Sequence, residues 1–375
     1  MTIGLVDLPR QRAAFEPRLS GAIQRVLDHG GYINGPEVAA FEAALAVHLG
    51  GGQVIGCSSG TDALVLLLMA AGIGPDDAVI VPSLTFVATA QAVALVGATP
   101  VFADVREKDM TLCPESTRAA IAALRNAGGP VPRAVIAVDL FSLPADHAAL
   151  SALCGEEELL LFYDAAHSVG TQTPFGPCGL YGKGAATSFY PSKALGAYGD
   201  AGGVLTTDPA FAARIRQAAQ HGAEGAAGHT RVGMNGRLDT LQAAILLEKL
   251  AVFGDESQAR RAIAARYLDA LDGCCGLPCV AAGVAPVWSY FCITHPERDA
   301  LQAHLAAQGI SAVAYYRVPT HLQPAYRGYP VVPGGLPMTE HLADRLLCLP
   351  AHAYLREDEV EQVIEAVTAF SPRRG

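Results

Sequence analysis

Lysine is scarce in this chain. Among 375 residues the lysines are Lys108, Lys183, Lys193 and Lys249, and arginine carries nearly all the remaining positive charge. Lys193 stands in Ser188-Phe189-Tyr190-Pro191-Ser192-Lys193-Ala194-Leu195-Gly196, between a β-like run and the glycine-rich stretch Tyr198-Gly199-Asp200-Ala201-Gly202-Gly203. A lysine there offers what arginine cannot, an amine able to give up its proton inside a protein. A free amine forms a Schiff base with an aldehyde. The competing account is a surface lysine in a turn, so the other polar residues have to decide.

Four further stretches supply partners for such a group. Ser58-Ser59-Gly60-Thr61 sits at a strand-to-helix turn, where free N–H groups and the helix dipole favour a phosphate; ordinary capping of the helix by Ser59 is compatible with that role. Asp164-Ala165-Ala166-His167 follows the apolar run Leu159–Tyr163. Its carboxylate could pair with a protonated pyridine nitrogen or simply cap a turn, and His167 could orient a ring substituent or be a satisfied turn histidine. Ser188, five residues before Lys193, could reach the same phosphate. Phe86 could lie on a ring face or belong to the core, the commoner fate of phenylalanine. An aldehyde, a pyridine nitrogen and a phosphate in one molecule describe pyridoxal phosphate (PLP). A polar loop, His229 to Asp239, enters a later helix and offers donors suited to anions, or is merely solvated.

These residues need a scaffold, and the periodicity predicts one. Short apolar runs at 53–57, 78–81, 99–103, 134–139, 159–164, 185–190 and 202–206 read as strands. Helical patterns over 11–29, 36–49, 61–72, 85–96, 115–127 and from Arg237 past Leu250 alternate with them. Alternation of this kind predicts an α/β fold with a mostly parallel, helix-covered sheet, and ligands then bind beyond the carboxyl ends of the strands. After about residue 255 the pattern changes to helix 256–271, strand 287–294, helix 297–308 and helix 356–370. We therefore expect a large domain over 1–252 and a smaller α+β domain over 253–375.

Composition narrows the function. The chain is 51% hydrophobic, enough for a large core, and its formal charge of −10 argues against nucleic-acid binding as its main task. Nine cysteines without paired CxxC spacing suggest neither a metal framework nor disulfides, and a reducing cytoplasm accounts for them. Asp7, Arg10 and Arg12 interrupt any signal peptide, and the apolar run 63–74 is too short to cross a bilayer. No Gly-x-Gly-x-x-Gly follows the first strand, which disfavours a dinucleotide-binding dehydrogenase.

In order and spacing, several segments together resemble the DegT/DnrJ/EryC1/StrS family of PLP-dependent sugar aminotransferases, of the aspartate-aminotransferase fold (fold type I). They are Tyr32-Ile33-x-Gly35-Pro36-Glu37, Gly60-Thr61-Asp62-Ala63-Leu64, Thr85-Phe86-Val87-Ala88-Thr89-Ala90, Asp164-Ala165-Ala166-His167, the Lys193 segment, Gly233-x-Asn235-x-Arg237-Leu238-Asp239 and His321-Leu322-Gln323-Pro324. The resemblance implies a ping-pong reaction in which L-glutamate gives its amino group to a nucleotide-linked keto sugar. It makes Lys193 the lysine that carries the cofactor and shuttles the proton. Asp164 becomes the partner of the pyridine nitrogen, and His167 the neighbour of the ring hydroxyl. Ser59, Gly60, Thr61 and Ser188 hold the phosphate, and Phe86 covers the ring. Asn235 reaches the cofactor of a second subunit, which makes the active form a homodimer. Tyr316-x-Val318-Pro319-x-His321 and His229-x-Arg231 resemble the subgroup that aminates the 3-keto group of UDP-linked N-acetylated sugars, including uronic acids. Arg231, Tyr316 and His321 are then expected at the substrate, Arg231 against a carboxylate. Phe141-Ser142-Leu143 and Ala194 depart from the usual family pattern and bear on substrate identity. A PLP-dependent sugar deoxygenase of the same family carries histidine in place of the lysine, and a non-catalytic PLP-binding regulator is a further alternative.

Overall fold

The computed structural model describes residues 2–371. Its centre is a seven-stranded sheet built from β1 (Gln53–Cys57), β2 (Asp77–Pro82), β3 (Thr99–Ala103), β4 (Val131–Val138), β5 (Leu160–Asp164), β8 (Gly184–Ser188) and β9 (Gly202–Thr206). A short ribbon of β6 (Gln172–Thr173) and β7 (Gly176–Pro177) interrupts that series. The spatial order is β1-β9-β8-β5-β4-β2-β3, with β9 alone running against its neighbours β1 and β8. The strands read as continuous apolar runs because helices cover both faces of the sheet. The helix Gly60–Ala71, for example, is buried at every position from Ala63 to Leu68, as an apolar-all-round helix must be. It packs on β8, β9 and the helices Ala88–Leu95 and Pro209–Ala219. Each leucine buried there is worth about 1.5–3 kcal/mol of transfer free energy.

This topology positions the site. Because β1, β2, β4, β5 and β8 run parallel, their carboxyl ends lie along one edge. Ser58 to Thr61, Ser83 to Phe86, Asp164 to His167 and the Lys193 turn all leave from that edge. The reversed strand β9 brings Gly202 back to the same edge, opposite both Cys57 and Ser188.

Several elements differ from expectation. The helix anticipated over 11–29 is two helices, Leu8–Phe15 and Arg18–His29, broken at Pro17, whose ring cannot donate the bond a continuous helix needs there. The helix anticipated from Thr85 starts at Ala88, since the segment at 320 takes the preceding carbonyls: Thr320 N–H donates to Ser83 O at 3.0 Å and its hydroxyl to Thr85 O at 3.3 Å. The helix anticipated from Arg237 begins at Thr240, because residue 239 is held extended in a bridge to Ile33. The helices His147–Glu156, Pro209–Ala219 and Pro337–Ala343 were not anticipated.

Beyond the long helix Phe253–Ala270, β10 (Phe291–Thr294) and β11 (Leu346–Leu349) pair antiparallel. They join a second apolar cluster that includes Tyr267, Trp288, Leu301, Val363 and, from the opposite end of the chain, Ile3.

Candidate active site

Lys193 occupies the loop between β8 and β9. Its N–H donates to Tyr190 O at 2.8 Å, and Ala197 N–H reaches back to Phe189 O at 2.7 Å, which closes the turn. From behind, Arg260 donates to Ala194 O at 3.1 Å. The turn aims the lysine amine into a cavity of about 460 Å³ at the carboxyl edge of the sheet. Burial pushes the amine down to about 8, and the Asp164 carboxylate pulls the other way. The ammonium also lies over the Tyr290 ring, 5.7 Å from its centroid.

Asp164 ends β5 and is 7% exposed. One carboxylate oxygen accepts from the Thr89 hydroxyl at 2.9 Å and the other from Ala166 N–H at 3.1 Å. Thr89 is itself in hydrogen-bond contact with Thr85 at 3.0 Å. Burial raises the Asp164 carboxyl, while the Thr89 and Ala166 bonds and the Lys193 charge favour its ionised form. His167 is held well below its ordinary value, first by burial and then by Lys193, so the ring is neutral near pH 7. Its Nδ1 accepts from Phe141 N–H at 3.3 Å. The ring proton therefore sits on Nε2, which leaves a donor on the ring's other nitrogen.

At the other side of the cavity, Ser59 caps the helix Gly60–Ala71, accepting from Asp62 N–H at 3.0 Å. Capping and anion binding coexist, because the first N–H groups of a helix have no intrahelical acceptor. Ser188 converges on this turn. A Cβ on Gly60 would lie 2.7 Å from Ser188 Cβ, and one on Gly202 would lie 2.2 Å from Ser59 O. Only glycine lets the three backbone segments close to form this cradle.

Of the residues anticipated at the site, the structure gathers Ser59, Gly60, Thr61, Phe86, Asp164, His167, Ser188, Lys193 and Tyr316 around one cavity. Phe86 is 55% exposed, so the core account of it does not hold; its ring faces Tyr316 at 5.9 Å. Asn235 and Arg231 are not gathered. Both are exposed, on the segment that follows the hairpin closed by Ala223 and His229. His321 does not line the cavity either. Its ring bonds Ser83 at 2.7 Å on one side and Glu340 at 3.3 Å on the other.

The sequence reading missed Thr89, Ser192, Tyr290 and Tyr315. Thr89 lay one helical turn after Thr85, a spacing that puts two hydroxyls on one face and was available as a signal. Tyr290 and Tyr315 come from about a hundred residues beyond Lys193 and carried none.

The donor set suits PLP. A helix N-terminus with three hydroxyls takes a phosphate, a buried carboxylate takes a pyridinium, a low-lying amine takes an aldehyde, and the Phe86 ring offers an aromatic face.

Comparison with known proteins agrees. The model of the DegT/DnrJ/EryC1/StrS aminotransferase family matches residues 15–368. The chain is 38% identical to the UDP-2-acetamido-2-deoxy-3-oxo-D-glucuronate aminotransferase of Pseudomonas aeruginosa, over 98% of this chain and 99% of that one. It is 39% identical to the dTDP-3-amino-3,4,6-trideoxy-alpha-D-glucose transaminase of Streptomyces venezuelae, over 99% and 97%. A crystal structure of a DegT DnrJ EryC1 StrS aminotransferase from Brucella abortus superposes with a TM-score of 0.96 at 46% identity, covering 98% of this chain and 99% of that one.

Proposed function

We propose that this chain, which belongs to the DegT/DnrJ/EryC1/StrS aminotransferase family, takes its amino group from L-glutamate and delivers it to the 3-keto group of a UDP-linked N-acetylated sugar or its uronic acid. It is a PLP-dependent aminotransferase of nucleotide-linked keto sugars, on a fold type I scaffold. The observation that carries the reading is the lowered amine of Lys193 facing the buried Asp164 carboxylate in one cavity. The Pseudomonas relative named above supports the 3-keto, UDP-linked choice; the Streptomyces relative acts on a dTDP sugar and marks the nucleotide as the point to test.

When bound, PLP supplies an electron sink for the substrate carbon and a carrier for the amino group. The protein supplies the rest. Lys193 holds the cofactor at rest. Once released, its amine takes and returns the proton at the nitrogen-bearing carbon of the substrate. Asp164 would pair with the pyridine nitrogen and keep it protonated, with Thr89 fixing the carboxylate. His167 would donate from Nε2 to the ring hydroxyl. Ser59, Gly60, Thr61 and Ser188 would hold the phosphate, and Phe86 would cover the ring. Tyr316 lines the sugar side. Both ring nitrogens of His321 are engaged, so it anchors the segment behind Tyr316 to Ser83.

Asn235 and Arg231 act in the cavity of a second subunit, Asn235 on the phosphate and Arg231 on a sugar carboxylate. Their exposure on one segment, away from this chain's own cavity, supports a homodimer. The division at residues 252 and 253 into a cofactor domain and a smaller one belongs to the same reading. No helix among the described residues is long and apolar enough to cross a membrane. The free cysteines suit a reducing cytoplasm. The deoxygenase alternative needs a histidine where Lys193 stands, and a regulator would have no use for a lowered amine beside a pyridinium partner.

The test is the visible spectrum of the purified protein with and without L-glutamate, followed by UDP-linked 3-keto sugar. Bleaching by glutamate and recovery on adding the sugar is the expected result. A yellow protein indifferent to glutamate overturns the donor, and a protein that does not take up PLP overturns the site.

A further inference from the structure

Beneath the cavity floor, outside the lining residues, two side chains eight residues apart meet a third from farther along the chain. Asp139 follows β4, His147 opens the helix His147–Glu156, and Cys178 lies just after β7. One ligand atom of each lies within 4.8 Å of the other two.

All three are buried, and His147 carries the stronger signal. It is 8% exposed, and both of its ring nitrogens are shut off from solvent with no hydrogen-bond partner among the described residues. The Tyr181 ring packs on it at 4.0 Å and the Tyr163 ring meets it edge-on at 4.6 Å, which fixes the imidazole without satisfying it. A buried imidazole with neither nitrogen paired loses its bonds to water and gains none in return. Asp139, 0% exposed, accepts from Ala145 N–H and the Ser168 hydroxyl, both at 2.9 Å, and no cation pairs with it among the described residues. The Cys178 sulfur lies within 4.8 Å of the same carboxylate and of the imidazole.

We propose that Asp139, His147 and Cys178 form a buried binding site for one divalent ion of borderline softness, zinc before others. Carboxylate oxygen, imidazole nitrogen and thiolate sulfur are the ligand types zinc takes. The charges also balance. One carboxylate, one thiolate and a neutral imidazole neutralise a divalent ion, so the loaded site carries no net charge into the interior. Binding replaces the thiol proton, which leaves to solvent, and the S–H bond gives way to a metal–sulfur bond. Tetrahedral zinc sets its ligands about 3.3–3.8 Å apart, so the group needs to contract by roughly 1 Å. The Ser168 hydroxyl, already on Asp139, orients that carboxylate for the ion.

The site would brace the cofactor floor. Asp139 N–H donates to Asp164 O at 3.1 Å, and Ser168 follows His167 directly. The ion would pin the chain immediately behind Asp164 and His167.

The test uses the full-length, PLP-loaded protein produced in zinc- or cobalt-supplemented medium and dialysed against a chelator. The expected result is near one zinc per chain by elemental analysis. The cobalt form should show thiolate-bound tetrahedral bands in the red, beyond the absorption of the cofactor. Cys178→Ala and His147→Ala should each lower retained metal more than about tenfold and abolish those bands, with retained PLP colour reporting that the variants fold. Wild-type protein that emerges metal-free from both media overturns the site whatever the variants do. Equal metal in wild type and a folded Cys178→Ala variant overturns it as an adventitious ion only. Neither outcome touches the aminotransferase reading, which the glutamate spectrum tests separately.

Discussion

The Thr89 hydroxyl donates to Oδ2 of Asp164 at 2.9 Å, with both side chains withdrawn from solvent. Burial alone would favour the neutral acid, and a hydrogen bond to the charged form opposes it. Thr89→Val keeps the shape and removes the donor, at a cost of about 1.5–3 kcal/mol to the ionised carboxylate. The Asp164 carboxyl should rise further, so the acid limb of the pH–rate profile should move to higher pH and kcat should fall about tenfold or more. Thr89→Ser should restore the profile. A purely structural role for Thr89 would lower stability without moving the acid limb.

Lys193→Ala and Lys193→Arg should both abolish turnover, since neither offers a free amine. In the cofactor-free protein, the rate of PLP capture should increase as pH passes through about 8, where the buried amine loses its proton. Asp164 holds that value up, so Asp164→Asn should move the midpoint below about 8. Stopped-flow absorbance of PLP uptake reads both midpoints.

Lys249 offers a stability test away from the cavity. It is 1% exposed, donates to Gln11 at 2.8 Å, and is pushed down to about 8 by burial. Its folded value lies below its unfolded one, so below about 8 the protonated amine destabilises the fold, and stability returns as pH rises through that value. The full cost is about 3 kcal/mol. Lys249→Met should therefore be more stable than wild type at pH 7, and the difference should begin to narrow by pH 9 (pH values of about 7 and 9 lie on either side of the folded value). Denaturant melts at the two pH values check it; a difference that widens with pH refutes it.

Gly202→Ala should damage cofactor binding without altering any chemical group. The new methyl would sit 2.2 Å from Ser59 O and push the phosphate turn outward. PLP retention on dialysis should fall about tenfold or more, a loss of roughly 1.4 kcal/mol, while far-ultraviolet circular dichroism stays unchanged.

Complementation tests the second subunit. Lys193→Ala and Asn235→Ala should each be strongly impaired alone. Mixed dimers contain one site with both residues intact, so co-expression at equal levels should recover about a quarter of wild-type activity. No recovery would place Asn235 outside the partner's site. Arg231→Ala should raise KM for a uronic substrate much more than for its neutral analogue; equal changes would remove Arg231 from the carboxylate.

The amino-acid sequence by itself determined the strand–helix alternation, the mostly parallel sheet and the placing of Lys193, Asp164 and the Ser59–Thr61 turn at strand ends. Those signals are local: apolar periodicity, a cap, a glycine stretch, each readable within a dozen residues. Proline at 17 was equally local and was overlooked. Tertiary structure alone decided what meets across the sheet. Tyr290, Tyr315 and Tyr316 reach the Lys193 cavity only because the C-terminal segments pack over the carboxyl edge. Thr89 reaches Asp164 only because β2 and β5 flank β4. The cysteine spacing showed no metal framework, yet Asp139, His147 and Cys178 converge in space, because strand order and helix packing, which sequence distance does not encode, set which side chains share a buried volume.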